Sequence, residues 1–264
     1  MSDDSHVLFG VTDGVGHITL NRPERLNSFT KPMLERVLEL VETCARDAAI
    51  RCVLLTGAGR AFCAGQDLGD RSVAPGEEPL DLGESLHNRY NPIVRLLLNM
   101  PKPVVVAVNG VAAGAGANLA LAGDIVVAAR SARFIESFVR LGLVPDAGGT
   151  FVLPRLVGMA RARAIAMLGE PVSAEQAEEW GMIWRTYDDE ALADEAMSIA
   201  TQLAAGPTGG LAKTKRVLNL SLGNTLDDQL DLERDTQRAA GLSKDYTEGV
   251  QAFMDKREPR FVGE

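Results

Sequence analysis

From Lys31 to Arg46 the chain reads KPMLERVLELVETCAR, with apolar residues returning every three or four positions, the spacing of one buried helical stripe. Ahead of it, the runs HVLFGVT and VGHITLNRP carry β-branched residues on either side of Asp13-Gly14, a dipeptide suited to a tight hairpin turn. Behind it, IRCVLLTG is a short continuous apolar run and reads as a buried strand. A polar stretch over 69–84, rich in Gly, Pro and Asp, reads as a mobile loop. It gives way to a helix over 86–98 and the strand KPVVVAVNG. Next comes VAAGAGANLALAGDIVVAAR, whose small residues open a helix before a strand over 124–129. Helix and strand alternate from residue 31 onward, so the expected fold class is α/β. Beyond about residue 190, ALADEAMSIATQLAAG, TGGLAKTKRVLNLSLG and TLDDQLDLERDTQRAAGLS all carry helical periodicity. The expected organisation is a core over 1–200 followed by a helical region over 201–264.

Composition narrows the partners. With 264 residues, 46% of them hydrophobic, the chain can bury a large core. Its formal net charge of −9 excludes a general nucleic-acid surface, because nonspecific binding to phosphates needs a basic face that displaces counterions. Cys44, Cys52 and Cys63 lie on apolar segments without CxxC spacing, which points to neither a disulfide framework nor a zinc site and fits a reducing cytoplasm. The opening MSDDSHVLFG lacks a basic stretch followed by an apolar core, and no apolar run approaches the length of a membrane span. A soluble cytoplasmic protein, with neither a membrane nor a nucleic-acid partner and with no metal site, is expected.

Two glycine-rich stretches follow predicted strands: TGAGRAFCAGQDL and NGVAAGAGANLAL. Small residues let a ligand approach the backbone, and the first amides of a helix point at negative charge, so either stretch can hold an anion. A dinucleotide site is a poor match, since GAGANL has Leu119 where the third fingerprint glycine belongs. Neither GxxxxGK[ST] nor GxSxG is present. Asp146, in LGLVPDAGGT, stands among glycines and aliphatic residues. It suits an N-cap for the helical run TFVLPRLVG, and it equally suits a proton-transfer carboxylate in an apolar pocket. Residue types alone leave both readings open. Glu136, close in sequence to Arg133 and Arg140, reads as a member of a surface salt bridge. The three histidines show no metal-ligand spacing, and His87 reads as part of a solvated helix. The basic, aromatic-flanked FMDKREPRF is a solvated tail unless the ligand bears phosphate.

Four ordered blocks carry a resemblance that spans nearly the whole chain: ITLNRPERLNSF, AFCAGQDL, KPVVVAVNGVAAGAGANLALAGDIVVAARSARF and LGLVPDAGGTFVLPRLVG. Together they resemble the successive signatures of the enoyl-CoA hydratase/isomerase (crotonase) superfamily. The resemblance implies a spiral of ββα units with a C-terminal helical trimerisation region, assembly as a homotrimer or hexamer, and acyl-CoA thioester chemistry with no cofactor beyond the CoA moiety of the substrate. It implies that the backbone amides of Gln66 and Ala115, the latter following Gly114, hold the thioester oxygen as it becomes an enolate. The family's CoA-contacting positions fall on Arg25, Leu26 and the segment Ala64, Gly65, Gln66, Asp67 and Leu68. Lys256 stands as a phosphate partner that a neighbouring subunit can supply.

Departures from the family pattern narrow the chemistry. Where hydratases of the superfamily carry two glutamates, this chain has Asn118 and Phe138; where they usually carry glycine, it has Asp146. Certain isomerases and the aromatic dehalogenases of the superfamily share that aspartate. The C-terminal third, including AEEWGMIWRTYDDEALAD, is similar to the branch that isomerises ring-epoxidised phenylacetyl-CoA. An Asp146 proton shuttle is therefore the implied mechanism, with Asn118 orienting the ligand or Asp146. The same equipment suits migration of a 3-enoyl double bond to the 2-position. The rivals are a dehalogenase with Asp146 as nucleophile and a noncatalytic acyl-CoA-binding trimer.

Overall fold

The computed structural model describes residues 6–71 and 81–264. Most of the loop expected over 69–84 lies outside the described residues.

The chain opens with the antiparallel hairpin β1 (Val7–Thr12) and β2 (Val15–Leu20), turned by Asp13 and Gly14 at positive φ. The helix α1 (Lys31–Arg46) follows, its first turn capped by the Thr30 hydroxyl, which accepts from the Met33 amide at 3.4 Å. Its buried residues, Met33, Leu34, Val37, Leu40, Val41 and Cys44, are the predicted stripe. Next come β3 (Cys52–Gly57), β4 (Ala61–Cys63), a short α2 (Leu82–Ser85) leading through one wide turn into α3 (Asn91–Asn99), β5 (Val104–Val108), β6 (Val111–Ala113), α4 (Ala115–Leu121), β7 (Ile125–Ala129) and β8 (Arg133–Ile135). Then α5 (Gly149–Leu168), β9 (Val172–Ser173), α6 (Ala174–Glu179), β10 (Arg185–Tyr187), α7 (Leu192–Ala205), α8 (Thr208–Ser221), α9 (Leu226–Gly241) and α10 (Lys244–Asp255) complete the fold.

Two sheets result, one ordered β1-β2-β3-β5-β7-β10 and the other β4-β6-β8-β9. All neighbours from β2 to β10 in the first sheet run parallel, as do β4, β6 and β8 in the second. After the opening hairpin, successive turns of the chain contribute one strand to each sheet, which makes the fold a spiral of ββα units. Every residue of β5 is buried, as expected for a central parallel strand covered on both faces. The expected boundary at residue 200 falls inside α7, which packs on β3 and β5. The last three helices form the C-terminal helical portion, joined to the core by an ion pair between the buried Lys215 Nζ and the partly exposed Asp124 Oδ2 at 2.7 Å. Among the described residues no helix is long and apolar enough to cross a membrane.

Candidate active site

The short second sheet positions the site. Because β4, β6 and β8 are parallel neighbours, their carboxyl ends deliver Gly65-Gln66, Gly114-Ala115 and Glu136 to one edge. Clefts at the carboxyl ends of parallel strands are where α/β folds commonly bind ligands.

The Gly65-Gln66 segment is fixed from one side. Phe29 donates its amide to the Gly65 carbonyl at 2.7 Å and accepts from the Asp67 amide at 2.9 Å. In such an extended pairing the intervening residue faces away, so the Gln66 N–H is turned to the opposite edge. The Gln66 side chain is anchored inward: Nε2 donates to the Phe29 carbonyl at 2.9 Å and Oε1 accepts from the Tyr90 hydroxyl at 2.8 Å. Tyr90 is fully buried and meets Phe29 edge to face, with ring centroids 6.0 Å apart. Gly65 has φ +92°, and a Cβ there would lie 2.8 Å from the Ala113 carbonyl oxygen and 3.8 Å from the Ala115 nitrogen. The two glycine-rich loops therefore touch. Ala115 is the first residue of α4, one of the helical positions whose amides have no acceptor within the helix.

Asp146 lies half-buried in the loop before α5, with Oδ1 screened from solvent. The capping reading is corrected here: Gly148, at φ 84°, occupies the cap position of α5, and Asp146 stands two residues earlier. Its main-chain oxygen accepts from the Gly149 amide at 2.9 Å and from Asn118 Nδ2 at 2.9 Å. Asn118, fully buried on α4 one turn beyond Ala115, thus ties the Asp146 loop to the helix that carries one of the two amides. Gly149 makes room for that tie, since a Cβ at this position would meet Asn118 Nδ2 at 2.3 Å.

Glu136 is a second correction. Instead of joining a surface salt bridge it is 1% exposed, and its Oε2 accepts from Asn118 Nδ2 at 3.3 Å. Arg133 turns to the Ser131 and Ala132 carbonyls and Arg140 to the Gly169 carbonyl. Burial pushes the Glu136 carboxyl up to about 7; the hydrogen bond from Asn118 opposes this shift and the charge on Asp146 adds to it. Phe138, buried, brings its ring within 3.6 Å of the space beside Gly114.

The other predicted contacts divide. Leu26, in a left-handed conformation, accepts the Ala64 amide at 2.9 Å and so lies against the Gly65 segment. Arg25 and Leu68 are exposed beside it. The Asp67 carboxylate accepts from the Gly69 amide at 3.0 Å and from Arg22 at 3.1 Å, and these bonds hold its proton affinity below the usual carboxylate range. Lys256 is not in this group: it is exposed at the C-cap of α10. Sequence reasoning missed Tyr90, Arg22 and Asn27. Asn27 is fully buried and donates to the Ala58 and Ala61 carbonyls, stitching the loop after β2 to the loops around β4.

The α/β spiral thus brings two touching glycine-rich loops to one edge, with the half-buried Asp146 and the buried Glu136 both linked to α4 through Asn118. The family comparison agrees: residues 10–264 match the enoyl-CoA hydratase/isomerase family, and the chain belongs to it. It is 59% identical to 1,2-epoxyphenylacetyl-CoA isomerase of Escherichia coli, over 97% of this chain and 98% of that one. It is 44% identical to a Rhodobacter capsulatus protein described as a probable enoyl-CoA hydratase, with the same coverage of both chains. A crystal structure from Mycobacterium abscessus, assigned to the enoyl-CoA hydratase/isomerase class, superposes with a TM-score of 0.94 at 37% identity, covering 98% of this chain and 100% of that one. The fold is therefore the crotonase fold with C-terminal helices.

Proposed function

We propose that this chain isomerises ring-1,2-epoxyphenylacetyl-CoA to the seven-membered oxepin-CoA, with the thioester oxygen held by the amides of Gln66 and Ala115 and Asp146 carrying the proton. The observation that carries this reading is the tie from Asn118 to the Asp146 main chain, which couples the Asp146 loop to the helix that begins at Ala115. The 59% identical relative supports the choice of acyl group. Hydration is disfavoured, because Asn118 and Phe138 occupy the positions where the family's hydratases place their glutamates.

Two amides aimed at the thioester oxygen stabilise the negative charge that appears there when the α carbon loses a proton, each contributing about 3–4 kcal/mol. Asp146 accepts that proton and returns one to a ring carbon, while the carbon–carbon bond shared by epoxide and ring opens. No atom is gained or lost. The same steps move a double bond from the 3- to the 2-position of an enoyl-CoA. Arg25, Leu26 and the segment 64–68 contact the CoA moiety, and Lys256 meets a CoA phosphate from a neighbouring subunit. Exposed apolar side chains on the C-terminal helices, among them Leu226, Phe253 and Met254, support assembly as a trimer or hexamer. The three buried free thiols support a cytoplasmic setting.

Incubation with ring-epoxide, 3-enoyl and halobenzoyl thioesters, followed by chromatographic separation and product identification by NMR and mass spectrometry, tests the reading. Oxepin-CoA of unchanged mass is expected. Halide release with an enzyme-bound acyl ester would instead assign Asp146 as a nucleophile.

A further inference from the structure

Glu136 is a buried titratable group that the proposed chemistry does not use. Its surroundings are well defined: Asn118 on α4, Asp146 in the loop before α5, and no salt bridge among the described residues. Arg133 on its own strand and Arg140 in the following turn both point to carbonyls instead. Asp146 is the charged neighbour that acts on it.

The hydrogen bonding at this spot is incomplete in a specific way. Asn118 Nδ2 spends its two hydrogens on the Asp146 carbonyl, at 2.9 Å, and on Glu136 Oε2, at 3.3 Å. That fixes which way the Asn118 amide faces. Asn118 Oδ1 and Glu136 Oε1 are then both buried acceptors with no donor among the described residues. Buried polar atoms are costly to leave without a partner. An acid and an amide can pair face to face, with N–H to one oxygen and O–H to the other, so a proton on Glu136 Oε1 would supply the donor that Asn118 Oδ1 lacks.

We propose that Glu136 is a proton-operated positioning residue: when neutral it completes an acid–amide pair that fixes Asn118 and, through it, the Asp146 loop; when ionised it keeps the Asn118 N–H but loses the O–H bond, leaves two acceptor oxygens unmatched and sets a second negative charge beside Asp146. The inference rests on Asp146 as proton carrier and adds the group that governs the pH range in which it works. Burial already favours the neutral form up to about pH 7.

Glu136→Gln separates this role from simple packing, since glutamine has the shape and donor of the neutral acid and cannot ionise. The first readout is exchange of the α hydrogens of phenylacetyl-CoA with D2O across about pH 5.5 to 8.5. Wild-type exchange is expected to fall by about tenfold over the upper half of that range as the aspartate loses its alignment, while Glu136→Gln stays near its acidic plateau. Glu136→Ala is expected to be slow throughout. The second readout is the thermal midpoint of both proteins against pH, which needs no substrate. A carboxyl raised in the folded state from 4.5 to about 7 gives stability that is lost as pH rises through 7, so wild type should weaken relative to Glu136→Gln between about pH 5 and 8. Superimposable exchange profiles, or superimposable midpoint curves, overturn the inference. If both readouts diverge as expected while the ring epoxide is left unconverted, the proposed acyl group is wrong and the role of Glu136 stands.

Discussion

Asn118 Nδ2 lies 2.9 Å from the main-chain oxygen of Asp146, so a side chain on the helix that begins at Ala115 sets the position of the carboxylate-bearing loop. The proposed amide donor and the proposed proton carrier are thereby tied to one helix.

Replacing Asn118 with leucine removes that unit's connection. The Asp146 carbonyl and Glu136 lose a buried donor, and an unfolding free energy lower by about 1–3 kcal/mol is expected. Denaturant titration measures it. In kinetics, kcat should fall more than KM rises, because the misplaced group acts in the transition state.

Gly65→Ala tests the contact between the two glycine-rich loops. The residue has φ +92°, and the added Cβ would stand 2.8 Å from the Ala113 carbonyl oxygen, so the loops must part. A strain of about 1–3 kcal/mol is expected. A shift of the Gln66 amide by about 1 Å should cost about 10²-fold in kcat/KM. Steady-state kinetics with a thermal melt checks both.

The attachment of the C-terminal helices makes a separate prediction. Lys215 Nζ donates to Asp124 Oδ2 at 2.7 Å and to the Leu97 carbonyl at 2.6 Å, in a buried setting. Lys215→Met leaves the partly exposed Asp124 and the Leu97 carbonyl without their donor, and a loss of about 1–3 kcal/mol is expected. Amide hydrogen exchange should report faster opening of α8 in the variant.

Much of this was legible in the residues. The stripe over 31–46 is α1 to the residue, and the hairpin, β3, β5 and β7 follow the apolar runs that predict them. The second sheet was not legible, because β4, β6, β8 and β9 have two or three residues each, too few for alternation to register. Yet those strands carry the site. Asp146 was found as a candidate but not freed from the capping reading, since only the backbone shows Gly148 taking the cap at φ 84°.

Glu136 was misread for a different reason. Arg133 and Arg140 flank it in sequence, and charge proximity along the chain favours an exposed ion pair. The signal that opposes this is the two-residue period of a strand: Phe134 is buried, and Glu136 falls on the same face.

The role of Asp146 is tested most directly by Asp146→Asn, assayed for α-hydrogen exchange and for conversion of the ring epoxide beside a binding measurement with a CoA thioester. Both rates are expected to fall by about 10²–10⁴-fold while thioester affinity and the thermal midpoint stay close to wild type. Turnover near the wild-type rate would contradict it.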